Sequence, residues 1–501
     1  MNSATTGLSA LRVPWLTVAL ALPLGLALAM VSGCAVGPNF RTPRPPDVSQ
    51  YAARPAATTA GSANIAGGAV QHFAAGADIP SDWWVLFHSK ALDALIEQSL
   101  AHNPNLQSAQ AALTQAREEV LAQRGSYYPS AAASLSASRQ KQSQQLAPTP
   151  NANLFQYSLF TPQVTIAYVP DVFGLNRRMV ESARAQAQAV RYQMIATTIT
   201  LSANVAAAAI QEAALQGQIN VTRQLVDLNT HMVGILRYQF AKGYASRLDL
   251  AAQQAQLAQV EATLPALRKQ RAQQRDLLAV LAGRFPSQAP AQIFGLSSLQ
   301  LPSELPLSLP SKLVVQRPDV LQAQANLHAA SAQVGVAIAN RLPEIELTAD
   351  AGSAALAASQ LFTSATNFAG LGATLTAPIF EGRTLLHQER AAKAAYVQAA
   401  AQYRATVLAA FQNVADTLAA LEQDADALKA AATAERAAQV ALDLSQQQSR
   451  AGYVGYLALL SAEQGFQQAR ISLVQSQANR YLDTVALFQA LGGGWWHEES
   501  H

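Results

Sequence analysis

The sequence contains few residues whose types and spacing could do chemistry. Its eight histidines show no spacing typical of metal ligands, and Cys34 is the only cysteine. It has no glycine-rich phosphate loop and no nucleophile elbow. Asp424 and Asp426 lie in a long helical stretch, which favours a solvated helix face over a catalytic pair. We therefore expect no enzyme, no metal site and no cofactor.

Cys34 is the one residue for which the surrounding sequence predicts a modification. Arg12 precedes an apolar segment, Val13 to Met30, and small residues follow it, an order typical of a secretory signal. The cysteine at the cut site resembles a bacterial lipobox, which implies cleavage before Cys34, acylation of its thiol and new N-terminus, and lipid anchoring. Ala35 in the second mature position favours the outer membrane. The alternative is an uncleaved anchor with a chance cysteine.

The composition makes nucleic acid an unlikely partner and indicates an unusual architecture. Charged residues make up 13% of the 501 residues, about half the usual share. The formal net charge is only +3, and no basic stripe occurs. Outside the N-terminal segment, no apolar run reaches the roughly 20 residues that a membrane-spanning helix needs.

Very long helices are predicted in the body of the chain. The stretch between Gly382 and Gly452 contains no glycine and no proline. Large apolar residues recur there at steps of three and four, which is a helical seam suited to packing against another helix. At about 1.5 Å per residue such a helix spans roughly 100 Å, too long for a compact globular domain.

The same pattern occurs twice along the chain. Pro104 and Pro129 recur as Pro318 and Pro343, both at an offset of 214 (318 − 104 and 343 − 129). Each copy reads as a helix, two strands, a long helix and a return helix. Two copies in the same order indicate an internal duplication.

The duplication divides the chain into six predicted segments. They are a lipoprotein signal peptide (1–33), a lipid-anchored extended tether (34–81), a first repeat (82–283), a proline-rich connector (284–316), a second repeat (317–491) and a C-terminal tail (492–501). The first repeat is predicted to hold strands near 130–140 and 161–170 around a polar loop (139–158), a long helix over 175–242 and a return helix over 248–282. The corresponding predictions for the second repeat are strands near 344–352 and 368–378, a long helix over 383–451 and a return helix over 456–491.

The predicted strands have the length needed to cross a bilayer, about ten residues each. In the second of them Val164, Ile166 and Tyr168 share one face. Four strands cannot close a barrel, and an open sheet edge cannot face lipid. If the strands cross a membrane, several chains must combine them, and three chains would give an even set of twelve. The alternative is two ordinary soluble hairpins.

Short motifs in a fixed order make the chain resemble the outer-membrane efflux protein family of TolC-type channels. Within the family it resembles the lipoprotein (NodT-like) branch that serves RND-type tripartite efflux systems. The matching motifs are Cys34-Ala35-Val36-Gly37-Pro38-Asn39-Phe40, Trp83-Trp84, Asn103-Pro104, Arg317-Pro318-Asp319-Val320, Pro378-Ile379-Phe380-Glu381-Gly382 and Ala490-Leu491-Gly492-Gly493-Gly494-Trp495.

This resemblance implies an α+β membrane protein that works as a homotrimer. Its twelve-stranded β-barrel, with four strands from each chain, would lie in the outer membrane. A long α-helical coiled-coil barrel would cross the periplasm. The partners implied are outer-membrane lipid, a periplasmic adaptor (a membrane fusion protein) and an inner-membrane pump.

The resemblance also implies that two helix-to-helix turns form a periplasmic tip. The candidate docking surface for an adaptor hairpin comprises Gly243, Tyr244, Ala245 and Ser246 in the first repeat, and Gly452, Tyr453, Val454 and Gly455 in the second. Glycine suits a helix C-terminus because it takes the left-handed conformation without strain. The alternative is that both glycines only make turns.

Past each turn, the resemblance predicts residues that narrow the channel. Asp249 matches a gating acid of the family, and Leu457 matches an apolar ring position. Ser461 and Ala458 stand where relatives carry acidic residues, and we expect Glu463 to supply part of that charge. Three copies of Asp249 would still favour cations at the opening. The alternative is that Asp249 only caps the return helix.

The function implied is a passive outer-membrane exit channel that carries small molecules from an efflux pump. One alternative is the outer-membrane duct of a type I protein or peptide secretion system. Another is a lipid-anchored periplasmic coiled-coil scaffold without a channel. The lipobox and the terminal Leu491 to Trp495 motif favour efflux, and the two strand pairs at matched offsets speak against the scaffold.

Overall fold

The computed structural model describes residues 35–51, 57–141, 156–289 and 294–500. The predicted signal peptide and Cys34 lie outside the described residues. The helices are α1 (Lys90–His102), α2 (Pro104–Arg124), α3 (Leu175–Ala241), α4 (Arg247–Leu281), α5 (Pro310–Gln316), α6 (Pro318–Ala339), α7 (Thr384–Arg450) and α8 (Tyr456–Ala490). The strands are β1 (His72–Ala75), β2 (Ser130–Lys141), β3 (Gln156–Tyr168), β4 (Glu304–Leu307), β5 (Glu344–Ser353) and β6 (Asn367–Thr376).

Corresponding helices of the two repeats have equal lengths. Helices α3 and α7 each contain 67 residues, and α4 and α8 each contain 35. Each long helix begins just after one glycine with positive φ and ends just before another, because this conformation stops a helix on either side. One helix of the described residues, α3, contains a stretch apolar enough to cross a membrane by composition. More than half of that stretch is buried inside the protein, as in a core helix.

The chain divides into two compact units, and each takes residues from both repeats. The sheet unit comprises residues up to Arg41 together with Ala116–Ala187 and Asn326–Ala399. The helical unit comprises Thr42–Gln115, Gln188–Ala325 and Ala400–His501. The duplication therefore does not produce one compact body from each repeat.

A four-stranded antiparallel sheet in the order β2-β3-β5-β6 forms the sheet unit's main element. The hairpin of the first repeat lies beside the hairpin of the second, joined by pairs from Gln163↔Gly352 to Tyr168↔Leu347. Strands β2 and β3 pair as far as Lys141↔Gln156. The prediction of a polar loop over 139–158 was therefore wrong at both of its ends, because backbone pairing does not require apolar side chains.

The tether and the connector contain short regular elements that the sequence did not predict. Strand β1 of the tether pairs in parallel with β4 of the connector. The fully buried Gln71 supports this pairing, since its amide nitrogen donates to the carbonyl oxygen of Pro302 (3.1 Å) and to Oγ1 of Thr484 (3.2 Å). The N-terminal segment is thus fixed within the core of the helical unit.

Aromatic side chains form the centre of the helical unit. Trp83 stacks on Phe488 with ring centroids 5.3 Å apart, and Phe87 meets the edge of the same ring. Beside them Arg480 is fully buried, and its Nη1 donates to the carbonyl oxygen of Leu421 at 2.8 Å. Burying each of these large rings contributes on the order of 2 kcal/mol.

Asp424 lies at the edge of the predicted solvated helix face, since it is half-buried while Asp426 is exposed. It interacts with Asp483 on α8, which is largely buried and lies beside Arg480. Burial and the neighbouring Asp424 raise the pKa of the Asp483 carboxyl above its usual range. The Asp483 carboxyl therefore favours its neutral form beside Asp424.

Candidate functional site

One face of the four-stranded sheet is apolar. Because directly paired residues share a face, Ala131, Ile166, Ala349 and Leu371 form one row across all four strands. The next apolar row is Ala133, Val164, Ala351 and Ala369. Leu371 is 90% exposed, and Val164 and Ile166 are also exposed. A soluble hairpin would cover such a face, whereas a membrane strand presents it to lipid.

The opposite face of the sheet is polar and lined with small residues. One row contains Thr165, Asp350 and Gly370, and two further acids on the same face, Glu344 and Glu346, pair with threonines. A side chain at position 370 would lie 3.0 Å from the Asp350 carboxylate, which explains the glycine. This division into an apolar and a polar face is the pattern of a strand between lipid and an aqueous lumen.

Both outer edges of the sheet are open. Within the described residues, β2 and β6 each pair with one neighbour only. They run antiparallel to each other, since every adjacent pair in the sheet is antiparallel. A second copy could therefore continue the sheet with the same hydrogen-bonding pattern.

The two helix-to-helix turns have the same backbone structure. Gly243 and Gly452 have φ values of +80° and +78°. The next amide in each turn, that of Tyr244 or Tyr453, donates to a carbonyl oxygen five residues earlier at 2.9 Å. Both tyrosine side chains are 84% exposed. These contacts define a helix C-terminal motif that requires a left-handed residue.

Asp249 caps the return helix α4. Its carboxylate accepts from the backbone N–H of Ser246 (3.1 Å) and from the Ser246 hydroxyl (2.7 Å), and its own N–H donates to Oγ of Ser246 (3.0 Å). This reciprocal arrangement is a capping box. The carboxylate remains partly exposed. On α8, Leu457, Ala458 and Ser461 are exposed on one face.

The structure brings the two turns together around one groove. A cavity of about 570 Å³ is lined by residues of both turns and of the helices beside them. The residues of the predicted tip and gate that line this cavity are Tyr244, Ala245, Asp249, Gly452, Val454 and Gly455. Leu457 and Ser461 do not line this groove. Five candidate tip residues from the two repeats thus share one groove, whereas Gly243, Ser246 and Tyr453 do not line it.

A buried polar network that the sequence did not predict ties α3, α4 and α8 together near the turns. The fully buried Gln253 donates from Nε2 to Oδ1 of Asn229 (2.9 Å) and to Oε2 of Glu463 (3.4 Å). Its Oε1 accepts a hydrogen bond from the hydroxyl of Tyr456. Nothing in the glutamine-rich sequence of these helices distinguishes Gln253 from its exposed neighbours.

Glu463 is the titratable centre of this network. Its side chain is almost fully buried, and Oε1 has no hydrogen-bond partner in the described part of the chain. Burial raises its pKa to about 7, although the hydrogen bond from Gln253 acts in the opposite direction. Glu463 is thus buried in this network, and its contribution of charge to the opening stays a prediction. Among the described residues, no cluster of His, Cys, Asp and Glu could hold a metal ion.

Residues 35–41 are held against the rest of the sheet unit by a buried arginine. Arg178 donates from Nε to the carbonyl oxygen of Val36 (2.9 Å) and from Nη2 to Oδ1 of Asn39 (2.9 Å). Its Nη1 forms an ion pair with Glu181 at 2.7 Å. Gly37 lies so close to a helix backbone that an added Cβ would be 2.5 Å from Cα of Gly335. The residues that directly follow Cys34 therefore have a defined binding place.

Paired 67-residue helices and a sheet with one apolar and one polar face define a TolC-type channel protein. The solved structure of the outer-membrane channel OprN has a TM-score of 0.82 with this chain at 25% identity, and the match covers 92% of this chain and 100% of OprN. The model of the outer membrane efflux protein family matches residues 95–284 and 309–493. The chain belongs to this outer membrane efflux protein family.

Two relatives show how far the similarity extends. The pyoverdine export outer membrane protein OpmQ of Pseudomonas aeruginosa is 29% identical over 431 residues, which cover 85% of this chain and 90% of OpmQ. The probable efflux pump outer membrane protein TtgC of Pseudomonas putida is 29% identical over 479 residues, covering 95% and 96% of the two chains. The protein is thus an outer-membrane exit channel of an efflux pump, with a large periplasmic portion.

Proposed function

We propose that three copies of this chain form the channel, with twelve strands in one outer-membrane β-barrel and the long helices in one periplasmic coiled-coil barrel. The observation that carries this proposal is the sheet. Its apolar face suits lipid, its polar face suits an aqueous lumen, and its two open edges run antiparallel. An open edge in lipid leaves backbone groups unsatisfied, so further copies must pair with both edges.

The proposed substrates are small molecules that an RND-type inner-membrane pump delivers through a periplasmic adaptor. The channel performs no bond chemistry and needs no cofactor. The names of the relatives, pyoverdine export for OpmQ and efflux for TtgC, support export of small molecules over secretion of proteins. Passage is passive and is controlled by how far the periplasmic end opens.

The groove between the two turns is the proposed docking surface for a hairpin of the adaptor. The docking surface would combine the groove-lining residues Tyr244, Ala245, Gly452, Val454 and Gly455 with the neighbouring Gly243, Ser246 and Tyr453. The exposed tyrosines on two equivalent turns support this role, because exposed aromatic side chains are typical anchors of protein interfaces. Asp249, Leu457 and Ser461 would narrow the entrance. Asp249 would both cap α4 and contribute negative charge there.

Acylation of Cys34 after removal of residues 1–33 remains part of the proposal. The contacts of Arg178 support it, because they fix residues 36–39 only a few positions from the expected anchor. Val36 N also donates to the carbonyl oxygen of Phe173 at 3.0 Å, at the junction between β3 and α3. The segment that follows the proposed acylation site is therefore held at the end of strand β3.

The decisive experiment is the mass and low-resolution image of protein extracted from outer membranes in detergent. A particle of three chains, with one end in the detergent belt and a long helical cylinder outside it, is the expected result. A monomer, or a rod without a detergent belt, would contradict the channel and leave a lipid-anchored scaffold. Mass spectrometry of the N-terminal peptide tests acylation of Cys34 in the same sample.

A further inference from the structure

Two of the most exposed large apolar side chains of the described residues follow the open edge strand β6. Ile379 is 97% exposed and Phe380 is 85% exposed. They come directly after β6, which ends at Thr376, and before α7. Water-exposed side chains of this size at a sheet edge need a partner or a lipid environment.

The first repeat covers its equivalent segment with its own chain. Phe173 lies between Pro170 and Gly174, as Ile379 and Phe380 lie between Pro378 and Gly382. Its backbone binds Val36, and the residues around it are only partly exposed. No described residue covers Ile379 and Phe380 to the same degree. The two repeats thus differ in what covers this segment, and the described residues leave it free for a partner in the second repeat.

The direction of the strands identifies that partner. The C-terminal end of β6 lies at the same end of the sheet as the N-terminal end of β2, since Thr376 pairs with Glu344 and Ser130 with Ala167. In a second copy that continues the sheet, its β2 therefore begins beside the end of this β6. A second copy brings its residues just before β2 to Ile379 and Phe380.

The strand lengths restrict which residues meet. Strand β6 has 10 residues and β2 has 12. If all of β6 pairs within β2, Thr376 lies opposite Ser130, Ala131 or Ala132 of the other copy. Ile379 and Phe380 then lie level with residues 126–129. Tyr128, at 73% exposed, is the large exposed side chain in that range.

We propose that Ile379 and Phe380 pack against Tyr128 of a second copy of this chain and so fasten neighbouring subunits at the base of the barrel. This inference rests on the proposed trimer. Three such contacts, one at each junction between subunits, close the ring. Aromatic and aliphatic pairs of this kind add to the backbone pairing of the strands.

The test is cross-linking of the full-length protein in membranes with Tyr128→Cys and Phe380→Cys combined. A short bismaleimide should give a covalent three-chain band, and each single variant should give none. Within one chain the two positions are separated by three strand spacings, roughly 14 Å, so the link must join two subunits. Tyr128→Cys with Phe362→Cys is the matched control, because Phe362 is 71% exposed but lies at the other end of the sheet.

A second measurement uses trimer dissociation in SDS on heating. The double variant Ile379→Ser, Phe380→Ser should lower the dissociation temperature. The single variant Phe380→Leu should keep a dissociation temperature close to that of the wild type, and Phe362→Ser should not change it. If the wild-type protein forms a three-chain particle but the double cysteine variant gives no cross-linked band, this contact is overturned and both side chains face lipid. A monomeric wild-type particle would instead overturn the trimer itself, so the two failures are distinguishable.

Discussion

Replacing Glu463 with glutamine should remove a pH-dependent destabilisation of the packed form of α3, α4 and α8. Burial raises the pKa of this carboxyl from 4.5 to about 7. Below pH 4.5 the carboxyl is protonated in both the packed and the opened helices, so it contributes no difference. As the pH rises from 4.5 to about 7, only the opened form ionises freely. The packed form therefore loses stability over this range, and the loss is complete above it.

The magnitude follows from the shift. A difference between 4.5 and about 7 corresponds to roughly 3 kcal/mol at pH 8. Glutamine has a similar size and stays neutral, and its carbonyl oxygen can accept from Gln253 as Glu463 does. Local opening of the variant should be rarer at pH 8 by a factor on the order of 100, and unchanged at pH 4. The neighbouring titratable groups, Tyr456 and Asp249, are the same in both proteins.

Hydrogen exchange of the full-length protein in detergent measures this effect. Peptides from the starts of α4 and α8 report opening near Gln253 and Glu463, after correction for the intrinsic pH dependence of exchange. Glu261→Gln serves as the control, since Glu261 is exposed on α4. If Glu463→Gln changes protection equally at pH 5 and pH 8, the argument from burial is wrong.

Two further changes test other parts of the structure. Leu371→Arg places a charge on the apolar face of the sheet and should destabilise the barrel by about 2–4 kcal/mol, seen as loss of heat-resistant assemblies in outer membranes. Thr374→Arg, on the opposite face, should assemble normally. Equal losses in the two variants would refute the assignment of the faces. Arg178→Met removes charge-assisted hydrogen bonds worth about 2–3 kcal/mol and should abolish the hydrogen-exchange protection of residues 35–41. The control is Arg177→Met, which should retain this protection because the ion pair of Arg177 is more exposed.

The sequence was sufficient for the helices because local signals define them. Gly243 and Gly452 end the long helices through their backbone conformation, and the observed ends lie within one residue of those predicted. Alternation in β3 likewise indicated which residues share its apolar face. These features depend on neighbours along the chain, which a single sequence shows.

Long-range contacts could not be predicted in the same way. The pairing of β1 with β4 joins segments of four residues each that show no periodicity. The sequence predicts that Glu463 supplies charge near the opening, but its burial depends on Gln253, which lies 210 positions earlier and resembles the many other glutamines of these helices. The roles of the tip residues and of Asp249 as a gate stay predictions, since capping alone explains the observed contacts of Asp249.

The pairing of β3 with β5 has a consequence for how the chain folds. Tyr168 meets Leu347 across about 180 residues of intervening chain, whereas each hairpin closes over a short loop. Joining such distant segments costs a flexible chain about 2 kcal/mol more than closing a hairpin loop. Because helical contacts are more local, α3 and α4 can form before this pairing and shorten the effective distance. The order favoured is helices first and sheet last, so the surface that requires lipid is completed only at the end of folding.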